Sequence, residues 1–171
     1  AAQGIQSQGG KASAHACDVS NQAQVKSVLQ HIGPLDILVN NAGIAHIGTA
    51  ETTSEADFDR VMNINVKGVY NCLHAAIPLM KENGGGVILN MASIAATIGI
   101  PDRFAYSTAK GAVLTMTLAT AKDYLKQNIR CNCISPARVH TPFVDGFLSK
   151  NYPGQEAEMF DKLAKTQPIG R

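Results

Sequence analysis

A tyrosine and a lysine four residues apart, Tyr106 and Lys110, form the pattern in this 171-residue sequence that could most directly do chemistry. Side chains at this spacing lie on the same face of a helix. A phenol normally titrates at about pH 10, and a fixed ammonium close by favours the phenolate. The pair could therefore act as a general acid and base at neutral pH. Ser93, upstream, could supply a hydroxyl that orients a carbonyl.

A single Tyr-x-x-x-Lys pattern also occurs on solvated helix faces, so its surroundings must support a chemical role. The other three tyrosines, Tyr70, Tyr124 and Tyr152, have no lysine at this spacing. Ser93 adds a second constraint, because it follows the apolar run 87–89 at the predicted end of a strand. The spacing thus favours a catalytic unit, provided that the neighbouring elements bring these side chains together.

The composition is that of a globular chain with an ordinary surface. Charged residues make up 16% of the sequence, and the formal net charge of +2 is spread without a long basic run. This pattern argues against nucleic-acid binding and against binding to an anionic membrane. No apolar run approaches the length of a transmembrane helix, and the N-terminus lacks the basic and apolar regions of a secretory signal.

The cysteines favour a reducing, cytoplasmic setting. Cys17, Cys72, Cys131 and Cys133 all lie in apolar or strand-like surroundings, where free buried thiols are common. The pair Cys131 and Cys133 has the spacing of a strand and no second pair of ligands, so no metal site is predicted.

Strands and helices alternate along the sequence, as expected of a parallel sheet. Strands are predicted over 13–17, 35–39, 87–89 and 129–134, and helices over 1–8, 21–30, 55–81 and 106–126. The apolar run 35–39 is typical of a strand buried on both faces. We therefore predict one α/β domain, a doubly wound, Rossmann-like parallel sheet with helices on both faces.

Small and polar residues cluster where these strands end. They are Asp18, the run Asn40 to Gly43, the run Asn90 to Ser93, and the run Ser135 to Thr141. Ligands of doubly wound sheets bind outside the carboxyl ends of the strands, so these residues are expected to line one rim. Ala42 and Gly43 would allow a flat ligand to approach the backbone closely.

These motifs, in this order and spacing, resemble those of the short-chain dehydrogenase/reductase family. The matching segments are Asp18-Val19, Asn40-Asn41-Ala42-Gly43, Asn65 within MNINVKG, Ser93, Tyr106-x-x-x-Lys110, and Pro136 through Thr141. The resemblance covers essentially the whole sequence and implies an oxidoreductase that uses NAD or NADP.

The resemblance also implies catalytic roles for four residues. Tyr106 would be the acid/base, and Ser93 would position the substrate carbonyl or hydroxyl. Lys110 would hold the nicotinamide ribose and favour the phenolate, while Asn65 would anchor a water that links Lys110 to bulk solvent. Hydride transfer to a carbonyl creates an alkoxide, which needs a proton partner and hydrogen-bond donors already in place.

Cofactor contacts follow from the same resemblance. Asp18 and Val19 would contact the adenine, and Asn40, Ala42 and Gly43 the cofactor backbone and ribose. The segment from Pro136 would face the nicotinamide, with Val139 and Thr141 at its carboxamide.

One departure from the family pattern follows the last strand. The sequence has Pro136-Ala137 where the family usually has Pro-Gly, followed by Arg138. The arginine is expected either to bring a charge near the pyrophosphate or the substrate, or to point outward.

The family pattern further implies segments at both ends that this sequence does not contain. They are a glycine-rich phosphate-binding unit and the strand that distinguishes NAD from NADP, and at the other end a last helix and strand. We therefore expect a partial record of a longer chain, with a strand missing from the sheet between 13–17 and 35–39. The chain exactly as written would then be poorly soluble and unable to turn over a dinucleotide.

The segment 142–167 matches the family's substrate lid, and the turn Asn151 to Gly154 separates its two helical pieces. Its residues and the ending 167–171 are similar to those of family members that act on sugars, polyols or small hydroxy acids. Reductases of 3-oxoacyl thioesters or steroids remain an alternative. His140, at the root of the segment, is interpreted as a loop histidine.

Two further interpretations stay open. The chain could bind a dinucleotide without catalysis, although the intact Ser93, Tyr106 and Lys110 argue against this. Alternatively it could serve assembly, because the helices 55–81 and 106–126 carry small and apolar residues on more than one face. A homodimer or homotetramer is expected through these helices.

Overall fold

The computed structural model describes residues 1–166, apart from the side chain of Phe143. Its helices are α1 (Ala2–Ser7), α2 (Gln22–Ile32), α3 (Glu55–Met62), α4 (Gly68–Glu82), α5 (Phe104–Asp123), α6 (Pro142–Asn151) and α7 (Glu156–Ala164). Its strands are β1 (Ile37–Asn40), β2 (Gly86–Met91) and β3 (Ile129–Ile134).

The three strands form one parallel sheet in the order β1-β2-β3. Asn40 at the end of β1 lies in register with Asn90 of β2, which pairs with Cys133 of β3. All three strands therefore end at the same edge of the sheet, and the loops that follow them are neighbours. The predicted Rossmann-like α/β fold with a parallel sheet is confirmed.

The core lies between one face of this sheet and the helices α4 and α5. Inward side chains from each strand, Leu38, Ile88 and Ile129, are 9%, 0% and 1% exposed. They belong to one cluster with helix residues such as Met80 and Val113, both fully buried. Burying an aliphatic side chain of this size contributes about 1.5–3 kcal/mol, so this face fixes the position of α5.

The prediction that β1 is buried on both faces is wrong, because its opposite face is exposed. Ile37 and Val39 alternate with Leu38 and are 62% and 52% exposed. Successive side chains of a strand point to opposite faces, and no described element covers the face to which these two belong.

A long helical run from α3 to α4 agrees with the predicted helix 55–81. Ser54 caps it, since its side chain accepts a hydrogen bond from the Asp57 amide. The run is interrupted by a π-helical segment, Asn63–Lys67. A π-bulge of this kind re-aims the side chains that it contains and often marks a functional site.

The predicted strand over 13–17 is absent from the structure. Residues 10–18 have no regular secondary structure, and most of them are exposed. A strand requires a neighbour for its hydrogen-bond ladder, and within residues 1–166 no strand pairs with this segment. The helices on either side agree with prediction, with Asn21 capping α2.

The segment predicted to be a lid contains two helices, α6 and α7, with the turn 152–155 between them. Asn151, predicted to lie in that turn, is the last residue of α6. The ending 167–171 lies outside the described residues. Among residues 1–166, none of the helices combines the length and apolar character that a membrane span needs.

Candidate active site

The start of α5 is fixed against the loop that follows β1. The Gly48 amide donates a hydrogen bond to the Asp102 carbonyl at 3.0 Å, and the Phe104 amide donates to the Gly48 carbonyl at 3.1 Å. These two bonds hold the first turn of α5 in place. Tyr106 lies in this turn and is half-buried.

Lys110 lies one turn further along α5 and is 7% exposed. Its Nζ donates a hydrogen bond to the Met91 carbonyl at 2.5 Å and lies 5.7 Å from the centroid of the Tyr106 ring. Burial lowers the pKa of the Lys110 ammonium. The central strand β2 therefore positions the lysine, and the lysine faces the tyrosine as its spacing predicts.

Ser93 follows β2 and is 7% exposed. Its Oγ accepts a hydrogen bond from the Ala95 amide at 3.1 Å, which leaves its own O–H available as a donor. The residues on either side are tied to the end of β3. The Ala92 amide donates to the Ile134 carbonyl at 2.9 Å, and the Ile94 amide donates to the Pro136 carbonyl at 3.0 Å.

Asn65 lies within the π-helical segment and is 1% exposed. Its side-chain amide donates to the Ile44 carbonyl and accepts from the Ile44 amide, both at 2.8 Å. The asparagine thus holds the loop after β1 with both ends of its side chain. A Cβ placed on Gly43 would lie 3.3 Å from the Asn65 Oδ1 and 3.8 Å from the Lys110 Nζ, so these three residues meet.

Two buried asparagines join the strands just below this site. Asn40 donates to the Asn90 Oδ1 at 2.8 Å, and Asn90 donates to the Thr117 Oγ1 of α5 at 2.9 Å. Asn40, Asn90 and Thr117 are 7%, 0% and 3% exposed. A satisfied buried network of this kind makes β1, β2 and α5 one rigid unit.

Val19 lies beside the first turns of α4, and Asp18 precedes it in the loop before α2. The Asp18 carboxylate is exposed and accepts from the Ser20 amide and hydroxyl at 2.9 and 2.7 Å. These bonds lower the pKa of Asp18. The Val19 carbonyl accepts from the Asn71 side chain at 2.8 Å. A Cβ on Gly68 would come within 2.8 Å of the Val19 side chain.

The segment after β3 is more exposed. Pro136 is half-buried, whereas Val139 is 57% exposed and Thr141, at the N-terminus of α6, is also exposed. The His140 Nε2 lies 2.7 Å from the Asp145 carboxylate, and its ring makes an edge-to-face contact with Phe160. These two contacts agree with its interpretation as a loop histidine.

The structure therefore brings together Gly43, Asn65, Ser93, Tyr106 and Lys110 around the end of β2. Asn40 lies beneath them. The exposed residues Asp18, Ala42, Val139 and Thr141 belong to the loops after the strands and before α2.

Sequence reasoning missed Asn71. Asn71 is fully buried and holds Val19 in place; a polar residue among apolar ones on the buried face of α4 was the available signal.

The four cysteines are free, and Cys17 is exposed, contrary to the expectation of buried thiols. Burial raises the pKa of Cys72 and of Cys131 to about 11. Within residues 1–166, no group of three or more histidine, cysteine or acidic side chains is arranged to bind a metal ion.

Comparison with known proteins gives a consistent result. The family model described as "short chain dehydrogenase" matches residues 1–151. The chain is 42% identical to an uncharacterized oxidoreductase of Thermotoga maritima, over 98% of this chain and 66% of that protein. It is 37% identical to the 2-keto-3-deoxy-L-fuconate dehydrogenase of Xanthomonas campestris, over 90% of this chain and 51% of that protein.

A solved structure is similar over almost the whole chain. It is a gluconate 5-dehydrogenase from Burkholderia cenocepacia in complex with NADP and tartrate, with a TM-score of 0.89 and 29% identity. The match covers 99% of this chain and 66% of that chain. The chain thus spans between about half and two thirds of the length of these proteins.

Proposed function

The chain belongs to the short-chain dehydrogenase/reductase family, and on that premise we propose that it is an NAD(P)-dependent oxidoreductase that interconverts a secondary alcohol and a carbonyl. One observation carries the proposal. The buried Lys110 ammonium lies 5.7 Å from the Tyr106 ring and is held by the carbonyl of Met91, two residues before Ser93.

In this proposal Tyr106 moves the proton. Its hydroxyl donates a proton to the carbonyl oxygen in reduction and takes one from the alcohol in oxidation. Ser93 donates a hydrogen bond to the same substrate oxygen, because its Oγ already accepts from the Ala95 amide and its O–H is available. These two donors are already oriented and stabilise the negative charge that develops on that oxygen.

Lys110 lies beside the tyrosine and is proposed to hold the cofactor there. Its ammonium is buried and lies 5.7 Å from the centroid of the Tyr106 ring. Only one of its three N–H donors is used by the Met91 carbonyl, which leaves donors for a ribose hydroxyl. Asn65 holds the loop after β1 and would anchor a water that connects Lys110 with solvent.

The residues beside Lys110 fit a flat dinucleotide. At Gly43 a side chain would press against Asn65 at 3.3 Å and approach Lys110 at 3.8 Å, so the absence of a Cβ keeps the backbone open to a ligand. A nicotinamide dinucleotide, when bound, supplies or accepts the hydride. Asp18 and Val19 would hold its adenine. Its backbone and ribose would be held by Asn40, Ala42 and Gly43. Its nicotinamide end would be held by Pro136, Val139 and Thr141.

For the substrate we propose a sugar, a polyol or a small hydroxy acid. The similar proteins named for 2-keto-3-deoxy-L-fuconate and gluconate support this class. A 3-oxoacyl-thioester or steroid reductase is the second candidate within the same chemistry. The helices α6 and α7, within the segment 142–167, would form the lid that excludes water.

Assembly as a homodimer or homotetramer in the cytoplasm completes the proposal. Exposed apolar side chains on the two long helices, Tyr70 at 47% and Leu118 at 62%, support an interface between copies of the chain. A purely assembling or cofactor-binding protein would not need the arrangement of Ser93, Tyr106 and Lys110.

The test is a turnover assay with NAD and with NADP against sugars, polyols, hydroxy acids, 3-oxoacyl thioesters and keto-steroids. We expect turnover in the first three classes and a loss of at least a hundredfold in kcat for Tyr106→Phe, the size expected for general acid–base catalysis. The matched control is Tyr124→Phe, which changes a tyrosine at the far end of α5. Equal kcat in the two variants would contradict the proposal.

A further inference from the structure

Gly68 and Asn71 form a socket on α4 for the loop that carries Asp18 and Val19. Gly68 is the first residue of α4, and Asn71 lies three residues further, so both are on the same side of the helix. Both residues are buried. Asn71 donates a hydrogen bond from Nδ2 to the Val19 carbonyl at 2.8 Å, and Gly68 faces the Val19 side chain. The socket therefore contacts Val19 at its backbone and at its side chain.

The glycine of the socket is explained by the close approach of Val19. Gly68 has φ −59° and ψ −46°, ordinary helical angles that other residues adopt equally well. A glycine at such a position weakens a helix relative to alanine. A Cβ on Gly68, however, would lie 2.8 Å from the Val19 Cγ2 and 3.2 Å from the Val19 Cβ, closer than the optimal carbon–carbon separation of about 3.5–4.0 Å. The space that a side chain at position 68 would need is thus occupied by Val19.

The asparagine of the socket uses only the donor end of its side-chain amide. Asn71 is 0% exposed, and among residues 1–166 its Oδ1 has no hydrogen-bond partner. Asn65, in the preceding π-helical segment, forms hydrogen bonds with both ends of its amide. A buried polar atom without a partner lowers the stability of a fold, and an apolar side chain would avoid that penalty. The packing of α4 alone therefore does not account for Asn71, whereas its bond to Val19 does.

The loop depends on side-chain contacts of this kind because residues 10–18 have no regular secondary structure. On the side of α2, the Asp18 amide donates a hydrogen bond to the Gln24 Oε1 at 3.0 Å. On the side of α4, the socket holds Val19. The two helices pack against each other, so α2 and α4 together set the position of Asp18 and Val19.

We propose that Gly68 and Asn71 are positioning residues for the cofactor, because they hold Val19, and with it Asp18, where these two residues bind the adenine. This inference rests on the proposed function, which assigns the adenine to Asp18 and Val19. It adds a part of α4 that acts through Val19 rather than through contact with the cofactor. Loss of the socket is therefore expected to weaken binding of the adenine half of the dinucleotide and to leave proton transfer at Tyr106 unchanged.

Calorimetric titration of the full chain with AMP, the adenine half of the dinucleotide, and with nicotinamide mononucleotide, the other half, tests the inference without turnover. Asn71→Leu has a similar size but cannot donate a hydrogen bond, so it should weaken binding of AMP about three- to tenfold. Binding of nicotinamide mononucleotide should not change. The melting temperature should not fall, because the unpartnered oxygen is removed as well.

The control is Asn63→Leu, at an exposed position in the π-helical segment. Unchanged binding of AMP in Asn71→Leu, an equal loss for the two halves of the dinucleotide, or a melting temperature below that of the control overturns the inference.

A double-mutant cycle tests the role of Gly68. Gly68→Ala should weaken binding of AMP at least threefold, because the new Cβ displaces Val19. The control is Gly4→Ala, at a glycine of α1 that has open space around it. Val19→Ala removes the Cγ2 atom that the new Cβ would meet most closely, so Gly68→Ala should weaken binding less in the Val19→Ala background than in the native chain. Equal losses in the two backgrounds overturn the inference.

Turnover separates this inference from the proposed function. Turnover that requires Tyr106, in a chain whose socket variants bind AMP as the native chain does, would leave the proposed function standing and overturn the role of the socket. Selective loss of AMP binding in the variants, with no turnover of any substrate by either cofactor, would support the socket and overturn the proposed reaction. A native chain that binds neither AMP nor nicotinamide mononucleotide would overturn both.

Discussion

The candidate site has a buried half and an exposed half, and they differ in how they are held. The buried half consists of Asn65, Ser93 and Lys110, which are 1%, 7% and 7% exposed. The exposed half consists of the loop residues Asp18, Ala42, Gly43, Val139 and Thr141. The first half contains the residues proposed to support Tyr106, which is itself half-buried. Most of the residues proposed for cofactor binding lie in the second half.

The buried half is fixed by contacts that also hold the fold together. Lys110 is bonded to the backbone of β2, and Asn65 joins the π-helical segment to the loop after β1. A catalytic constellation needs this kind of support, because small displacements of reacting groups lower the rate steeply. The residues of the exposed half lie on loops, where substitutions lower the stability of the fold only a little.

The largest effect is expected in the buried half, from Asn65→Ala. The substitution removes both hydrogen bonds to the Ile44 backbone, so the free energy of unfolding should fall by about 2–4 kcal/mol. Chemical denaturation measures the loss. The control is Asn63→Ala, an exposed asparagine in the same π-helical segment. Equal stability of the two variants would mean that the contacts of Asn65 do not hold the loop.

A smaller effect is expected in the exposed half, from Asp18→Ala. The carboxylate orders its own loop through two bonds to Ser20, so its loss should raise the KM for the cofactor about three- to tenfold, the worth of a typical hydrogen bond. Turnover at saturating cofactor and the melting temperature should not change. Asp59→Ala, at an exposed position on α3, is the control. A loss of kcat, or of stability, in Asp18→Ala would erase the proposed distinction between the two halves.

The sequence predicts those parts of this arrangement that depend on local pattern. The predicted strand 129–134 has the same bounds as β3, because the segment begins and ends with the β-branched residue isoleucine and lies between turn residues. The π-helical interruption around Asn65 agrees with the general rule that an asparagine within a helix weakens it. Tyr106 and Lys110 share a face because helical geometry requires it.

Contacts between distant segments were not predictable in the same way. The segment 13–17 has a strand-like pattern, but strands form only where another strand completes the ladder. The bond from Asn71 to Val19 joins residues 52 positions apart, and no local pattern specifies it. The contact of Arg103 with the Phe147 ring depends on where α6 packs, and no local pattern specifies it.

The most direct test of the account is a double-mutant cycle on Tyr106 and Lys110. If the lysine acts through the tyrosine, the variant that combines Tyr106→Phe with Lys110→Met should have nearly the same kcat as Tyr106→Phe alone, because the lysine has no phenol left to assist. The three variants and the native chain are compared at saturating cofactor, and their melting temperatures establish that each is folded. Losses that multiply, so that the double variant is slower by the product of the two single effects, would show that the two residues act independently and would contradict the account.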